Sequence, residues 1–205
     1  TGARYHAAVV STADAVAAIR TAKANGVPAT CAVAAHHFAL NETEIGEYRT
    51  FAKTAPPLRS ETDRAAMVAG LADGAIDVIV SDHSPQDQES KRRPFANAAP
   101  GIAGLQTMLP LALELVHGGH ISLLDLLAKM TINPARLLGL DCGTLAPGAP
   151  ADLVMIEMDV PWRLSEPGLK SKSKNTPFDG RPVQGRVVRT VVGGETVFAL
   201  TAEPA

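Results

Sequence analysis

Residues 75–85 read Ala-Ile-Asp-Val-Ile-Val-Ser-Asp-His-Ser-Pro, and this stretch decides the fold. The apolar, β-branched run that ends at Val80 predicts a buried strand. It delivers Asp82 and His83 to the carboxyl end of that strand, which is where parallel α/β barrels place their chemistry. Asp82 is therefore a candidate catalytic residue. On spacing alone an equally good interpretation is that Asp82 caps the next turn and His83 makes a structural hydrogen bond.

The composition excludes several classes of protein. The 205 residues are 46% hydrophobic and carry a formal net charge of −2, which gives no electrostatic footprint for nucleic acid. No apolar run reaches the roughly 18 residues needed to cross a bilayer. Cys31 and Cys142 stand alone in the sequence, which favours a reducing compartment. We therefore expect a cytoplasmic protein that binds neither nucleic acid nor membranes.

Strand and helix signals alternate from the beginning of the chain. Strands are predicted at residues 5–10, 28–35, 51–53 and 77–81. Helices are predicted between these strands, with side-chain caps at Ser11-Thr12 and Ser60. Apolar helices follow at residues 105–116 and 122–130, the second capped by Ser122, with a helical turn at 133–138. Such alternation predicts βαβ units and a parallel sheet.

The last third of the chain has a different pattern. Residues 187–192 and 196–198 are predicted to pair as a hairpin across Gly193-Gly194. The polar connection before them, residues 161–185, is long enough to be functional or pinned to another surface. The sequence therefore predicts two units, at residues 1–142 and 143–205.

Four parallel strands are only half of an eight-stranded barrel. The first predicted strand begins almost at residue 1, and the β-rich unit has too few strands to form a sheet sandwich by itself. We therefore expect the chain to belong to a longer fold or to complete itself by association, and we expect a homo-oligomer.

Short motifs rich in His, Pro, Gly and Asp are spread over the chain. They are His36-His37 after a strand, Pro56-Pro57-Leu58-Arg59-Ser60, Ser81-Asp82-His83-Ser84-Pro85, Pro100-Gly101-Ile102-Ala103-Gly104-Leu105, Asn133-Pro134-Ala135, Leu145-Ala146-Pro147-Gly148 with Ala151-Asp152-Leu153-Val154, and Ser171-Lys172-Ser173-Lys174-Asn175-Thr176-Pro177-Phe178. In this order and spacing they make essentially the whole chain resemble the dihydroorotases of the amidohydrolase superfamily.

The resemblance implies an α/β fold, namely the C-terminal half of a TIM-type (β/α)8 barrel (strands five to eight) plus part of a small β domain. The family hydrolyses dihydroorotate reversibly to carbamoyl aspartate in pyrimidine biosynthesis, at a zinc centre that activates water. By resemblance Asp82 is the acid/base and a metal ligand, and His36 is an imidazole ligand. The backbone of Pro100 and Gly101 is expected to line the substrate ring.

Four positions depart from the family pattern, one of which is Ala32, where the family usually has an acidic residue. Val9 stands where the family has a metal-ligand His, and a Val side chain has no lone pair for a metal ion. Ala55 replaces a substrate-holding Asn, and Gln86 replaces a substrate-contacting His. Zinc is the cofactor that the family implies, and these losses favour its absence from this chain.

Two functional hypotheses follow from the resemblance. The first is a catalytically impaired dihydroorotase-like protein that acts as a non-catalytic partner of aspartate transcarbamoylase. The second is an active zinc-dependent dihydroorotase, or a related cyclic amidohydrolase, that uses Asp82 as acid/base. We favour the first because the replacements at Val9, Ala55 and Gln86 occur together.

Overall fold

A parallel sheet forms from three of the predicted strands in the computed structural model, which describes residues 2–201. The strands are β1 (Tyr5–Ala7), β2 (Ala29–Ala34) and β3 (Val78–Val80). They lie side by side in chain order, with both neighbouring pairs parallel. Because parallel strands point the same way, the segments that follow β2 and β3 meet at one edge of the sheet.

Helices connect and cover these strands. They are α1 (Ala13–Ala24), α2 (Ala35–Ala39), α3 (Glu61–Ala72), α4 (Gln88–Lys91), α5 (Leu105–His117), α6 (Leu123–Met130) and α7 (Ile132–Leu138). The predicted caps are present, because the hydroxyls of Thr12, Ser60 and Ser122 accept backbone N–H groups at the starts of α1, α3 and α6.

The strand predicted at residues 51–53 is wrong. Thr50–Ala52 form a turn of 3₁₀-helix, and β2 pairs directly with β3. The N–H groups of Ala52 and Lys53 donate to the carbonyls of Arg49 and Thr50, both at 3.0 Å. Because these two N–H groups bond locally, they are not available to pair with a neighbouring strand. The described residues therefore hold three of the four predicted parallel strands.

The core lies between the parallel sheet and the helices that pack on it. β2 is its centre, since Cys31, Ala32, Val33 and Ala34 have no exposed surface. Large side chains from three helices surround it: Val16 and Ile19 of α1, Met67 and Leu71 of α3, and Leu111 and Leu113 of α5. The small residues of β2 let α1 pack closely on the sheet.

A second, antiparallel sheet is formed by β4 (Leu153–Arg163), β5 (Pro182–Val192) and β6 (Glu195–Ala199). The predicted hairpin is confirmed, and the preceding connection is shorter than predicted, at residues 164–181. α5 packs against β5 so closely that a Cβ on Gly185 would lie 2.5 Å from the Leu113 side chain. The division at residue 142 stays a prediction.

No helix within residues 2–201 is long and apolar enough to span a membrane. The 13 residues of α5 are the longest helix described there. At about 1.5 Å per residue it extends roughly 20 Å, whereas the hydrocarbon core of a bilayer is roughly 30 Å thick.

The two cysteines should react very differently. Cys31 has no exposed surface, its thiol donates to the Ala75 carbonyl at 3.4 Å, and burial raises its pKa to about 11, whereas Cys142 is exposed. Because the thiolate is the reactive form, we expect Ellman's reagent at about pH 8 to titrate one thiol per chain in the folded protein and two in denaturant. Cys142→Ser should abolish the folded-state reaction. Rapid labelling of two thiols without denaturant would contradict the structure.

Candidate active site

Two buried histidines follow β2 at the carboxyl edge of the sheet. The sequence predicts them after a strand, and the structure places them in the short helix α2, where His36 is 1% exposed and His37 is 3% exposed. The Nε2–H of His37 donates to the Pro56 carbonyl at 3.0 Å, which leaves its Nδ1 as a lone pair. Among the described residues, neither nitrogen of His36 has a hydrogen-bond partner.

Asp82 follows β3 and faces His36, as the sequence predicts. Its Oδ2 lies 3.6 Å from Nε2 of His36. Burial lowers the pKa of His36 to about 3, with a smaller contribution from His37, and burial raises the pKa of Asp82 above its usual range. The imidazole is therefore neutral at physiological pH. The two side chains do not form an ion pair, and each offers a lone pair to a third group.

The separation of these two donors suits a shared metal ion. Bonds of about 2.0–2.2 Å at the tetrahedral angle place two zinc ligands roughly 3.4 Å apart, and His36 Nε2 and Asp82 Oδ2 are 3.6 Å apart. The part of the chain that the structure describes brings these two donors together and contains no cluster of three or more His, Cys, Asp or Glu side chains suited to a metal. A catalytic zinc takes at least three ligands from protein, so a further ligand would come from outside the described residues.

Val9 occupies the position where the resemblance implies a further ligand. It lies two residues beyond the end of β1 and is half-buried, with an aliphatic side chain. The next residue continues the edge of the sheet, because the N–H of Val10 donates to the Ala32 carbonyl at 2.8 Å. The backbone therefore continues along the edge of the sheet at this point, and the Val9 side chain offers no donor atom to a metal.

The turn that carries Asp82 is held by the segment that leads into α5. Asp82 has a φ of +45°, a region that few residues other than glycine adopt. The N–H of Ser84 donates to the Ile102 carbonyl at 2.8 Å, and the N–H of Gly104 donates to Nδ1 of His83 at 3.1 Å. His83 thus has the structural role that its position beside Asp82 allows.

Pro100 and Gly101 lie beside this turn, and their role in holding substrate stays a prediction. Pro100 is exposed and Gly101 is buried. The N–H of Gly101 donates to the Lys53 carbonyl at 2.9 Å, and its carbonyl accepts from Asn175 Nδ2 at 3.0 Å. Both polar backbone groups of Gly101 therefore already have a partner inside the protein.

Two further replaced positions lie nearby. Ala55 is exposed, and Gln86 is half-buried. The Nε2 of Gln86 donates to the Ser84 hydroxyl at 3.3 Å, and its backbone N–H donates to Asn175 Oδ1 at 3.1 Å. The Gln86 side chain is thus tied to its own turn.

Sequence reasoning missed two residues that organise this edge. Asn175 is buried and bonds to Gln86, Gly101 and, through its carbonyl, Ala103. Asn175 lies in the motif at residues 171–178, but that motif by itself predicts no role for its residues. Lys91 is also buried, and it gave no signal, because it begins a Lys-Arg-Arg run that is typical of an exposed surface.

Comparisons with known proteins agree with this architecture. The model of the amidohydrolase family matches residues 1–197. A dihydroorotase of Anaplasma phagocytophilum (strain HZ) is 48% identical over 197 residues, which cover 96% of this chain and 44% of that protein. A dihydroorotase of Geobacter sp. (strain M21) is 47% identical over 197 residues, covering 96% of this chain and 46% of that protein.

Solved structures show the same fold. An L-hydantoinase (dihydropyrimidinase) from Arthrobacter aurescens aligns with a TM-score of 0.90 at 31% identity, covering 98% of this chain and 47% of that one. A D-hydantoinase (dihydropyrimidinase) from Thermus sp. aligns with a TM-score of 0.90 at 27% identity, covering 97% and 45%. The predicted partial-barrel fold class is confirmed, and the chain spans less than half the length of these relatives.

The His36 site predicts an acid-dependent loss of stability. Its pKa is about 3 in the folded chain against 6.5 for the free side chain, so the unfolded state binds the proton first as the pH falls. This stability is complete above about pH 6.5 and declines toward pH 3, with a slope of up to about 1.4 kcal/mol per pH unit. We expect His36→Gln to remove that part of the slope in denaturant unfolding of chelator-treated protein.

The control for this experiment is His117→Gln, since His117 is exposed at the end of α5. That variant should keep the acid slope of the original chain. Identical slopes for His36→Gln and the original chain would show that the His36 imidazole is protonated as easily in the folded as in the unfolded state.

Proposed function

The chain belongs to the amidohydrolase family, in which it is dihydroorotase-like, and on that basis we propose a dihydroorotase-type protein of pyrimidine biosynthesis whose metal centre is incomplete. The observation that supports this proposal is the pair formed by His36 and Asp82. Its two donors lie 3.6 Å apart, and Val9, at the position where the resemblance implies a further ligand, offers no donor atom. The relatives named dihydroorotase support the family role, and hydrolysis by this chain is a separate question.

The impaired interpretation is supported by the three replaced positions. Val9 brings an alkyl group where the resemblance implies an imidazole, and Ala55 brings a methyl group where it implies an amide. Gln86 is bonded to Ser84. A site that has lost one ligand and two substrate contacts keeps its fold, because function resides in side chains grafted on the barrel.

An active enzyme is the second candidate, and a specific observation favours it. Both nitrogens of His36 are buried without partners among the described residues. An unsatisfied buried polar group costs about 1–3 kcal/mol, and a ligand at Nε2 would remove part of that cost. His36 and Asp82 are the residues of this chain that would hold a zinc ion, together with a ligand beyond the pair.

In that active form, bound zinc supplies a water of lowered pKa and polarises the amide carbonyl. Asp82 holds the proton: burial raises the pKa of its carboxyl group, which brings proton uptake and release closer to neutral pH. The carboxylate is 28% exposed, whereas His36 is 1% exposed, so Asp82 is the member of the pair that a substrate reaches.

Metal content separates the two candidates. We expect the full-length protein, purified without chelator, to hold far less than one zinc per chain and to hydrolyse no dihydroorotate. Val9→His should raise the zinc content toward one per chain, because it restores an imidazole donor. Val9→Ile is the matched control and should leave zinc content unchanged. Near-stoichiometric zinc in the original chain, with hydrolysis that Asp82→Ala abolishes, would establish the active enzyme instead.

The partner that we propose is aspartate transcarbamoylase, because the chain resembles dihydroorotase-like companions of that enzyme. Apolar side chains on both faces of the antiparallel sheet are exposed in the described residues, and the rest of the small β domain that the resemblance implies would cover part of them. They include Leu153 at 40% exposure, Val154 at 56%, Met155 at 53% and Val197 at 62%.

Sedimentation of full-length protein mixed with aspartate transcarbamoylase tests this partnership. We expect a species that sediments faster than either component, and the same run on the protein alone tests the expected homo-oligomer. Asp82→Ala should assemble as the original chain does, because assembly does not use the site. Independent sedimentation of the two proteins at micromolar concentration would contradict the partnership.

A further inference from the structure

Two segments follow the carboxyl ends of β2 and β3, and two lysines join them. The 41–60 segment connects α2 to α3 and contains Ala55, and the 81–104 segment connects β3 to α5 and contains Asp82. Both therefore lie at the edge where the candidate site is found. Each contributes one lysine to the other.

Lys91 reaches from the 81–104 segment into the 41–60 segment. It is 1% exposed, and its Nζ donates to the carbonyls of Thr50 at 3.0 Å, Lys53 at 3.4 Å and Ala99 at 2.9 Å. An ammonium group has three N–H donors, and three backbone carbonyls match them. Within the described chain no carboxylate pairs with Lys91, so the buried charge is solvated by backbone dipoles alone.

Lys53 makes the reciprocal connection. Its Nζ donates to the carbonyls of Phe95 at 2.7 Å and Ala96 at 3.0 Å in the 81–104 segment, and it lies 5.4 Å from the centre of the Phe95 ring. Each lysine therefore bonds to backbone of the segment to which the other belongs. Burying a cation is costly unless its donors are used. Separation of the two segments would break the hydrogen bonds between the Lys91 ammonium and its acceptors in the 41–60 segment.

This connection leads directly to the residues of the candidate site. The Lys53 carbonyl, an acceptor for Lys91, also accepts the N–H of Gly101 at 2.9 Å. Gly101 in turn packs on the turn after Asp82. In the other direction, Lys53 is three residues before Pro56, whose carbonyl binds His37 Nε2–H at 3.0 Å.

We propose that Lys53 and Lys91 are positioning residues that form a reciprocal lock, which sets the distance between the Asp82 turn and the His36–His37 pair. The lock acts through backbone carbonyls. Burial, with a smaller contribution from the charge of Lys53, lowers the pKa of Lys91 to about 8, so the ammonium form prevails at pH 7.

Hydrogen–deuterium exchange at about pH 7 tests the lock. Lys91→Met and Lys53→Met keep most of the side-chain volume and remove the ammonium. We expect each to accelerate exchange about tenfold or more at residues 50–54 and 95–103, because the N–H groups there depend on the closed arrangement. Exchange in β4 and β5 should stay at its original rate.

Lys129→Met is the matched control. Lys129 is also a buried lysine, at 6% exposure, and its Nζ donates to the Ile76 carbonyl at 2.6 Å, at the opposite end of β3. This variant should leave residues 50–54 and 95–103 at their original rates. Acceleration of equal size in all three variants would mean that any lost buried lysine loosens the fold, and the lock would be overturned.

Reciprocity gives a second test. Because the two lysines close one interface, the double variant should accelerate exchange by less than the product of the two single effects. If the double variant accelerates exchange by the full product of the two single effects, the two lysines make independent contacts. If Lys91→Met does not fold, Lys53→Met carries the test alone, because Lys53 is only half-buried.

A spectroscopic signal reports positioning rather than stability. In protein with ¹⁵N-labelled histidine, the Nε2–H resonance of His37 depends on its bond to the Pro56 carbonyl. We expect this resonance to broaden or shift in Lys53→Met and Lys91→Met, and to stay unchanged in Lys129→Met. An unchanged resonance in the first two would overturn the proposal. These measurements need neither zinc nor a partner protein, so their outcome is independent of the proposed function.

Discussion

The backbone of residues 101–104 packs directly on the backbone of residues 81–84, and the rest of this chain depends on that contact. A Cβ on Gly104 would lie 2.2 Å from the Ser81 carbonyl oxygen, and one on Gly101 would lie 2.5 Å from the Ser84 carbonyl oxygen. The contact fixes the turn of Asp82. It also fixes where α5 begins, and α5 then locates the antiparallel sheet through Leu113 and Gly185. One close approach thus sets both the site and the position of the second sheet.

Buried polar groups are treated in two ways at this edge. Lys91 uses three carbonyl acceptors and Asn175 makes three hydrogen bonds, so every polar side-chain atom of both residues has a partner. His36 keeps two nitrogens without partners among the described residues, at a cost of about 1–3 kcal/mol each. Satisfied groups hold structure, and an unsatisfied one is available to a ligand. This contrast places the chemistry of the edge at His36 and Asp82.

The sequence predicted the elements whose signals are local. The caps at Thr12, Ser60 and Ser122 and the apolar run before Asp82 located α1, α3, α6 and β3. That Asp82 and His36 share a site was implied by the family resemblance and not by a local pattern. The rest depends on tertiary contacts. Two of the three carbonyls that bind the Lys91 ammonium lie about forty residues earlier in the chain, and no pattern around residue 91 carries that information. The segment at residues 50–52 closes its own hydrogen bonds, which a strand propensity cannot reveal.

These interactions hold the carboxyl edge of the parallel sheet without using the side chain of any candidate metal ligand. The glycine contact, the Asn175 bonds and the two lysines all act through the backbone, and none of them uses a ligand side chain. Val9 lies beyond the end of β1, where the path of the polypeptide is held by the bond from Val10 to Ala32. The aliphatic side chain of Val9 offers no donor atom at that point, while the backbone bond beside it is made. The frame that holds His36 and Asp82 is therefore built from contacts that do not depend on the side chains of candidate ligands.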